Sequence, residues 1–340
     1  MSKDPKEVLK ELKKQIYRPV YFLQGEEPYY IDAVTDYIEE HCVPETEKGF
    51  NQILLYGKDV DMATVLSNAK RFPMMAERQV VIIKEAQEIR DLNKEGGAKL
   101  LSAYVKNPLS STVLVFAHKN KALDGRKALG KELNKLGILI NCKRLYDNQV
   151  QAWLQDYVKE KNHSIDFKAQ QMMLESAGTN LSKLSNEIQK VLINFSEKTT
   201  ITPDHIQKYV GVSKDYNVFE LQTALGLKDV LKANKIINYF AKTPKNNPAI
   251  MTIANLYAYF SKLIVAQASQ DKSDRGLAVA LGVNPYFVKD YKVAMRSFPL
   301  MKLVRIISFV KEADMSVKGV SGSISEDQIM KELVFKILHI

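Results

Sequence analysis

The stretch VYFLQGEEPYYID, residues 20–32, runs from an apolar strand through Gly25 into a helix that begins near Pro28. A phosphate-binding loop begins in the same way, because a glycine turn between a strand and a helix lets backbone amides cradle a phosphate. Such a loop ends in Gly-Lys-Ser or Gly-Lys-Thr, whose lysine and hydroxyl hold the terminal phosphate and magnesium. Here Glu26 and Glu27 stand where the phosphate would lie. The stretch therefore indicates an α/β fold. It leaves open whether the nucleotide site is broken, is a chance resemblance, or is a scaffold kept for another purpose.

Four further apolar runs alternate with helical patterns through about residue 143. The five runs together cover residues 20–24, 52–56, 79–83, 112–117 and 138–141. The helical pattern over 60–71, behind a candidate cap at Asp59, is a clear example of the segments between them. Near-continuous apolar strands separated by helices are typical of a parallel sheet covered on both faces. We therefore predict an α/β domain over 1–143.

The strand signal nearly disappears after Leu145. Helical patterns over 146–161, 166–177 and 180–193, followed by a short helix at Pro203, predict a small helical domain over 144–211. Seven more helical segments follow, at 216–226, 228–241, 247–269, 274–281, 285–296, 299–315 and 326–339. Residues 212–340 are therefore predicted to form a third domain that is entirely helical.

The composition favours a basic globular protein. The chain has 340 residues, 46% of them apolar, and its 49 Lys and Arg against 39 Asp and Glu give a net charge of +10. Such an excess suits nucleic acid or an acidic protein as partner, or is simply a well-solvated surface. The charged N-terminus is unlike a signal peptide, and no apolar run approaches the about 20 residues that span a bilayer, so we expect a cytoplasmic protein without membrane contact. Cys42 and Cys142 are expected to be reduced and structural.

No catalytic or metal-binding pattern is present in the sequence. The five histidines lack metal-ligand spacing. After the strand at 79–83, Lys84-Glu85-Ala86 stands where an ATPase needs one acidic residue for magnesium and another to activate water. Glu85 alone cannot serve both roles. We therefore predict a protein without catalytic residues, cofactor or metal, and keep a divergent ATPase as an alternative.

The stretch Phe72-Pro73-Met74-Met75 follows the helix predicted over 60–71. Pro73 disfavours helical geometry at Phe72, so the helix is expected to end or bend there. The three large apolar side chains could be ordinary caps of the core. They could also form a hydrophobic plug for a groove on a partner, a role that suits the flexible, polarizable side chain of methionine.

Basic residues are concentrated on the helix predicted over 228–241 and the turn after it. They are accompanied by Tyr239 and Phe240, and comprise Lys228, Lys232, Lys235, Lys242 and Lys245. A charged, solvated helix face is the default interpretation, and a surface that contacts DNA phosphates is the alternative.

Several stretches, in this order and at this spacing, resemble the delta-subunit family of bacterial DNA polymerase III over nearly the whole chain. They are VYFLQGEEPYYIDAVTDYI at 20–38, RFPMMAERQVVIIKEA at 71–86, GTNLSKLSNEIQKVLI at 178–193, VGVSKDYNVFELQTALGLKD at 210–229 and ALGVNPYFVKDYKVAMRSF at 280–298. The resemblance implies an AAA+-like α/β domain, a small helical domain and a helical collar domain that joins the clamp loader. It also implies that the chain does not bind ATP, has no active site of its own and belongs to a DNA polymerase holoenzyme.

The same resemblance implies a role for the Met74–Met75 pair. In this family a hydrophobic pair at the end of a first-domain helix inserts into a pocket on the sliding clamp, and Met74 and Met75 match it, with Phe72 and Pro73 beside them. The pair lacks the aromatic ring common in the family, and Phe72 is the candidate to supply it. The implied partners are the beta sliding clamp, the gamma/tau ATPase subunits, the delta prime subunit, and primed DNA through the assembled complex. A basic DNA-binding adaptor without clamp contact remains a third hypothesis beside the clamp opener and the divergent ATPase.

Overall fold

A computed structural model describes residues 4–136, 138–319 and 324–340, except for the side chains of Asp147 and Asn148. The chain divides into two compact units, residues 1–146 and 147–340. The boundary between the two units, after residue 146, lies three residues beyond the boundary predicted at 143. The further boundary at 211 stays a prediction.

The first unit is built on a five-stranded parallel sheet. Its strands lie in the order β2-β3-β4-β1-β5, with bounds β1 Val20–Gly25, β2 Gln52–Tyr56, β3 Gln79–Lys84, β4 Thr112–Lys119 and β5 Leu139–Asn141. All five strands fall where apolar runs predicted them. The parallel-sheet α/β class predicted for this part of the chain is therefore confirmed.

Helices cover both faces of this sheet. They are α1 Pro5–Lys13, α2 Pro28–His41, α3 Lys48–Asn51, α4 Met62–Ala69, α5 Glu95–Lys106 and α6 Ala128–Lys135. On one face Phe22 and Phe116 stack at a centroid distance of 5.2 Å within a core that includes the inner sides of α4, α5 and α6. Because successive strand residues alternate between faces, Leu23 and Val115 are buried on the opposite side, where α2 crosses the sheet. The near-continuous apolar character of the central strands follows from this two-sided burial.

Two local predictions about α4 were wrong. Its N-cap is Asp61, whose carboxylate accepts a hydrogen bond from the Thr64 amide at 2.8 Å, whereas Asp59 lies in the preceding turn. The helix ends at Ala69 and not at residue 71. The chain therefore leaves the helix two residues earlier than predicted, which makes the segment before β3 longer.

The second unit consists almost entirely of helices. They are α7 Asp147–Glu160, α8 Phe167–Ala177, α9 Leu181–Leu192, α10 Pro203–Tyr209, α11 Val218–Gly226, α12 Val230–Lys242, α13 Ala249–Ala268, α14 Asp274–Leu281, α15 Pro285–Ser297, α16 Leu300–Val317 and α17 Glu326–Leu338. Each of these helices was predicted, with bounds that differ by at most two residues. Sequence patterns missed the parallel two-residue pair of β6 Ser164–Ile165 and β7 Thr200–Ile201, because two residues are too few to show alternation.

Helices α11 to α17 share one hydrophobic core. Phe260 and Phe298 are fully buried in it and meet edge to face at 5.6 Å. Within the described residues, α13 alone is long and apolar enough to cross a bilayer. Its side chains Leu256, Phe260 and Leu263 are fully buried in this core. We therefore interpret α13 as the central helix of a packed unit.

Candidate functional site

The predicted plug lies on the segment between α4 and β3, residues 70–78, and its apolar side chains face solvent. Phe72 is 76% exposed, Met74 is 55% exposed and Met75 is fully exposed, while Pro73 is partly covered. The alternative that these side chains cap the core is therefore wrong. Adjacent exposed apolar side chains are a feature of surfaces that bind another macromolecule. We name the segment 70–78 the plug loop.

A buried amide holds the centre of the plug loop. Asn51, the last residue of α3, is only 1% exposed. Its Oδ1 accepts a hydrogen bond from the Met74 amide at 2.7 Å, and its Nδ2 donates to the Met74 carbonyl at 3.0 Å. Both backbone polar groups of Met74 are thus satisfied by one side chain. An exposed turn is in this way given a fixed backbone position.

A second buried amide holds the start of the plug loop. Gln79, the first residue of β3, donates from Nε2 to the carbonyl oxygens of Asn68 and Arg71 and to Oγ1 of Thr112 on the neighbouring strand. Gln79 and Thr112 are fully or almost fully buried. The segment that leaves α4 is therefore tied to the sheet as well as to α3.

Met75 has a left-handed backbone, with φ of 51°. A non-glycine residue in this region carries a conformational cost of roughly 1 kcal/mol or more. The bonds that Asn51 makes to the preceding residue help to maintain this conformation. The result is a fully exposed methionine held at the tip of a strained turn.

The phosphate-loop position lies at the opposite end of the strands, where β1 ends at Gly25. Here the Glu27 amide donates to the carbonyl of Cys142 at 3.1 Å, and the Cys142 amide donates to the Gln24 carbonyl at 2.7 Å. A Cβ added at Gly25, which has φ of 135°, would lie 2.1 Å from the Cys142 carbonyl oxygen. The glycine therefore permits close packing against the end of β5, and the Glu27 amide is not free for a phosphate.

The carboxylate of Glu27 occupies the N-terminus of α2. It is almost fully buried and accepts a hydrogen bond from the Tyr29 amide at 3.2 Å. Burial raises its pKa, and the Tyr29 bond and the positive charge of Arg144 act in the opposite direction. A helix N-terminus is where a nucleotide phosphate binds in related α/β sites. In this chain a protein carboxylate caps that position itself.

The position of the ATPase acidic pair is also occupied by an internal network. At the end of β4, the ammonium of Lys119 lies 2.7 Å from Asp32 and 3.4 Å from Glu85. Burial would lower the pKa of Lys119, but its hydrogen bond to Asp32 and the nearby charge of Glu85 raise it overall. Glu85 is thus paired with a cation of the chain. The negative charge of Glu85 is therefore neutralised by Lys119 and is not available to bind magnesium.

The lysines predicted to form one basic face do not act together. Lys228 donates to the Ile340 carbonyl at 2.9 Å, and its pKa is lowered by burial and by Lys302. Lys232 pairs with Glu220, so these two lysines serve the packing of the helical unit. Lys235, Lys242 and Lys245 are exposed. The candidate phosphate-contacting set is therefore reduced from five residues to three.

A buried carboxyl in the helical unit was missed by sequence reasoning. Glu175 on α8 accepts a hydrogen bond from the Val218 amide, at the start of α11, at 2.7 Å, while its Oε2 is buried without a hydrogen-bond partner in the described residues. It lines a cavity of about 350 Å³ together with Lys183 and Lys245. Burial raises its pKa to about 7, against which the Val218 bond acts weakly. No spacing or motif around Glu175 marks it in the sequence.

Glu175 makes a pH dependence of stability testable. Its pKa is about 7 in the folded chain and 4.5 in the unfolded chain, so at pH values between these two the folded chain binds more protons than the unfolded chain. The free energy of unfolding therefore falls as pH rises from about 4.5 to 7. We expect Glu175→Gln to be close to wild type at pH 4.5 and more stable by about 1–3 kcal/mol at pH 8. Urea unfolding at the two pH values measures this difference. A difference that does not change with pH would show that Glu175 has the same pKa in the folded and unfolded chain, and would contradict the raised pKa.

Similar proteins are found by sequence and by fold. Residues 21–143 match the family described as DNA polymerase III, delta subunit. The DNA polymerase III subunit delta of Bacillus subtilis is 27% identical over 319 residues, which cover 92% of this chain and 91% of that protein. A probable DNA polymerase III subunit delta of Aquifex aeolicus is 26% identical over 261 residues, 75% of this chain and 72% of that protein.

The fold of a solved structure agrees with these matches. The Bacillus subtilis DNA clamp loader delta protein superposes with a TM-score of 0.57 at 24% identity, covering 99% of this chain and all of that one. The stretches that carry the resemblance extend from β1 to α15, so family likeness is not confined to the α/β unit. The chain is therefore similar to DNA polymerase III delta subunits over most of its length, and residues 21–143 match the model of that family.

Proposed function

We propose that this chain is the clamp-opening subunit of a bacterial clamp loader, and that it binds the beta sliding clamp through Phe72, Pro73, Met74 and Met75. The observation that carries this proposal is an exposed, methionine-rich loop whose backbone is fixed by two buried amides. The similarity to DNA polymerase III delta subunits supports the assignment, as does the name of the Bacillus relative, a DNA clamp loader delta protein. Fully burying a methionine side chain in a partner's pocket contributes roughly 1.5–3 kcal/mol.

The proposed action is mechanical. The chain binds one clamp subunit and favours a conformation in which the neighbouring ring interface is open. Such a shift requires tighter binding to the open form than to the closed form, because equal affinity for both would open nothing. A rigid loop suits this task, since a loop that adapted equally to both forms would not discriminate between them.

ATP is proposed to act through other subunits. Two features of the α/β unit support this: the Glu27 carboxylate at the N-terminus of α2 and the pairing of Glu85 with Lys119. The gamma/tau and delta prime subunits would then bind through the collar predicted over 212–340, and the assembled complex would load the clamp on primed DNA. The chain would need no cofactor and would work in the cytoplasm.

Binding to the cognate clamp tests this proposal. The full chain is passed over immobilised beta clamp without nucleotide and again with ATP and magnesium. We expect saturable binding of equal affinity in both conditions. No binding, or binding only with ATP, would contradict the proposed function and favour the divergent ATPase.

A DNA-binding surface remains a second candidate function because three exposed lysines, Lys235, Lys242 and Lys245, lie on α12 and in the turn after it. We expect the combined reversal Lys235→Glu, Lys242→Glu and Lys245→Glu to weaken binding to primer-template DNA. The salt-dependence slope is expected to fall by up to about 3, or roughly 0.9 for each phosphate that is no longer neutralised. Fluorescence anisotropy at several salt concentrations measures both effects.

A matched charge control is available on α1 and just after it. Lys10, Lys13 and Lys14 are exposed, and reversing them changes the net charge by the same amount. DNA binding that falls equally in the two triple variants would assign the effect to net charge alone. Clamp affinity is expected to stay within about 2-fold of wild type in the α12 variant, since rim or remote charges change affinity little.

A further inference from the structure

We propose that Asn51 is a positioning residue for clamp recognition and that Phe50, its neighbour on α3, is a further contact on the same surface. This inference rests on the proposed function of the plug loop. It extends the binding surface from one segment to two, residues 70–78 and the end of α3. The two segments are far apart in sequence and are joined by the Asn51–Met74 hydrogen bonds.

The two hydrogen bonds between the Asn51 side chain and the Met74 backbone form a clip that ties the plug loop to α3. The side-chain Oδ1 of Asn51 accepts a hydrogen bond from the Met74 amide at 2.7 Å, and its Nδ2 donates one to the Met74 carbonyl at 3.0 Å. The same Nδ2 also donates to the carbonyl of Glu47, the residue just before α3, at 3.3 Å. The clip therefore fixes the loop relative to α3 and not only to itself.

The position of Met75 explains why such a clip affects binding. Its side chain is fully exposed, so it gains no packing energy that would hold its left-handed backbone. Without the clip, the turn is free to relax, and the partner must then restore the bound shape at the cost of binding energy. Holding a loop in its bound conformation improves affinity by removing this ordering cost.

Phe50 is placed beside the plug loop by the same bonds. It is 69% exposed on a helix of only four residues. Its Cα lies one peptide, about 3.8 Å, from that of Asn51. An exposed aromatic ring on the residue that precedes Asn51 adds the kind of rigid apolar side chain that dominates many interfaces. The pair of methionines lacks a ring of its own, so Phe50 and Phe72 would supply the aromatic part of the surface.

The experiment measures clamp affinity and loop order in separate assays. Variants Asn51→Ala, Asn51→Asp and Phe50→Ala of the full chain are compared with Leu136→Ala, which removes an exposed apolar side chain of the same unit. Asp keeps an acceptor for the Met74 amide but loses the donor to its carbonyl. Methyl-labelled methionine NMR of the free chain reports whether Met74 and Met75 keep one conformation, a signal that a change in global stability does not move.

We expect about 10-fold weaker clamp binding for Asn51→Ala, a smaller loss for Asn51→Asp, and about 5-fold weaker binding for Phe50→Ala, with Leu136→Ala within about 2-fold of wild type. The Met74 and Met75 methyl signals are expected to average or broaden in Asn51→Ala alone. If wild type binds the clamp and Asn51→Ala or Phe50→Ala binds equally well, the inference is overturned while the proposed function stands. If wild type itself does not bind, the proposed function fails and the inference with it.

Discussion

Replacing Met74 and Met75 together by aspartate is expected to weaken binding to the sliding clamp by at least about 100-fold, equivalent to about 2.7 kcal/mol. The change removes two apolar side chains and places two carboxylates where an apolar pocket would have to accept them, and unpaired charges are costly to bury. Both positions are exposed in the chain, so the fold is expected to be retained. Surface plasmon resonance with immobilised clamp measures the loss.

The control for this variant is Met301→Asp. Met301, at the start of α16, is 77% exposed, so its replacement adds one carboxylate, half the charge of the double variant, at an exposed methionine outside the plug loop. We expect clamp affinity within about 2-fold of wild type, as for most surface substitutions. Clamp binding by the double aspartate variant at wild-type strength would contradict the assignment of the plug, whatever the behaviour of the control.

Replacing Gly25 by alanine is expected to destabilise the chain by about 3 kcal/mol or more. The new Cβ would lie 2.1 Å from the Cys142 carbonyl oxygen, and φ of 135° is a backbone region that L side chains rarely adopt. Relief would require β1 and the segment after β5 to separate. Urea unfolding followed by circular dichroism measures the loss.

Gly96→Ala provides the matched control. Gly96 lies in α5, and a Cβ added there would meet no other atom within 4 Å. Alanine at this position is expected to stabilise the chain by about 0.5–1 kcal/mol, because glycine is a poor helix former. If Gly25→Ala is as stable as wild type, the loop does not pack against the end of β5. The argument that the phosphate position is closed would then fail.

The strands and helices could be predicted from sequence because the burial of each element produces a pattern of apolar residues within that element. A strand buried on both faces, such as β4, must be apolar at nearly every position, and helices repeat their apolar residues every three or four positions. The edge strand β2 was predicted for the same reason, although Leu54 and Tyr56 are exposed. Its place at the edge depends on the order of the strands, which no single run of residues specifies.

The support of the candidate site could not be predicted in this way. Asn51 and Met74 are 23 positions apart, and an asparagine before an apolar strand is ordinarily a turn residue. The ammonium of Lys228 donates a hydrogen bond to the carbonyl of Ile340, which is 112 positions away in the sequence. The exposure of Phe72, Met74 and Met75 was equally undecided, because apolar residues at the end of a helix serve both cores and interfaces. In each case the deciding contact is distant in sequence.

The strand, turn and helix of residues 20–32 have a clear structural role. Gly25 allows β1 to pack against the chain after β5, and Glu27 caps α2 with its own carboxylate. The strand–turn–helix framework of a phosphate loop is retained, but its anion position is occupied from within. The sheet then carries the plug loop at its other end, five to six residues along the strands, or roughly 20 Å away.

Ring opening without nucleotide is the most direct test of the central claim. Two self-quenching dyes are attached on either side of one interface of the sliding clamp, and the purified full chain is added without ATP. We predict an increase in fluorescence that saturates with the chain, is unchanged by ATP and is absent with the Met74→Asp, Met75→Asp variant. Fluorescence that rises only when ATP is present, or that rises equally with the double variant, would contradict the account.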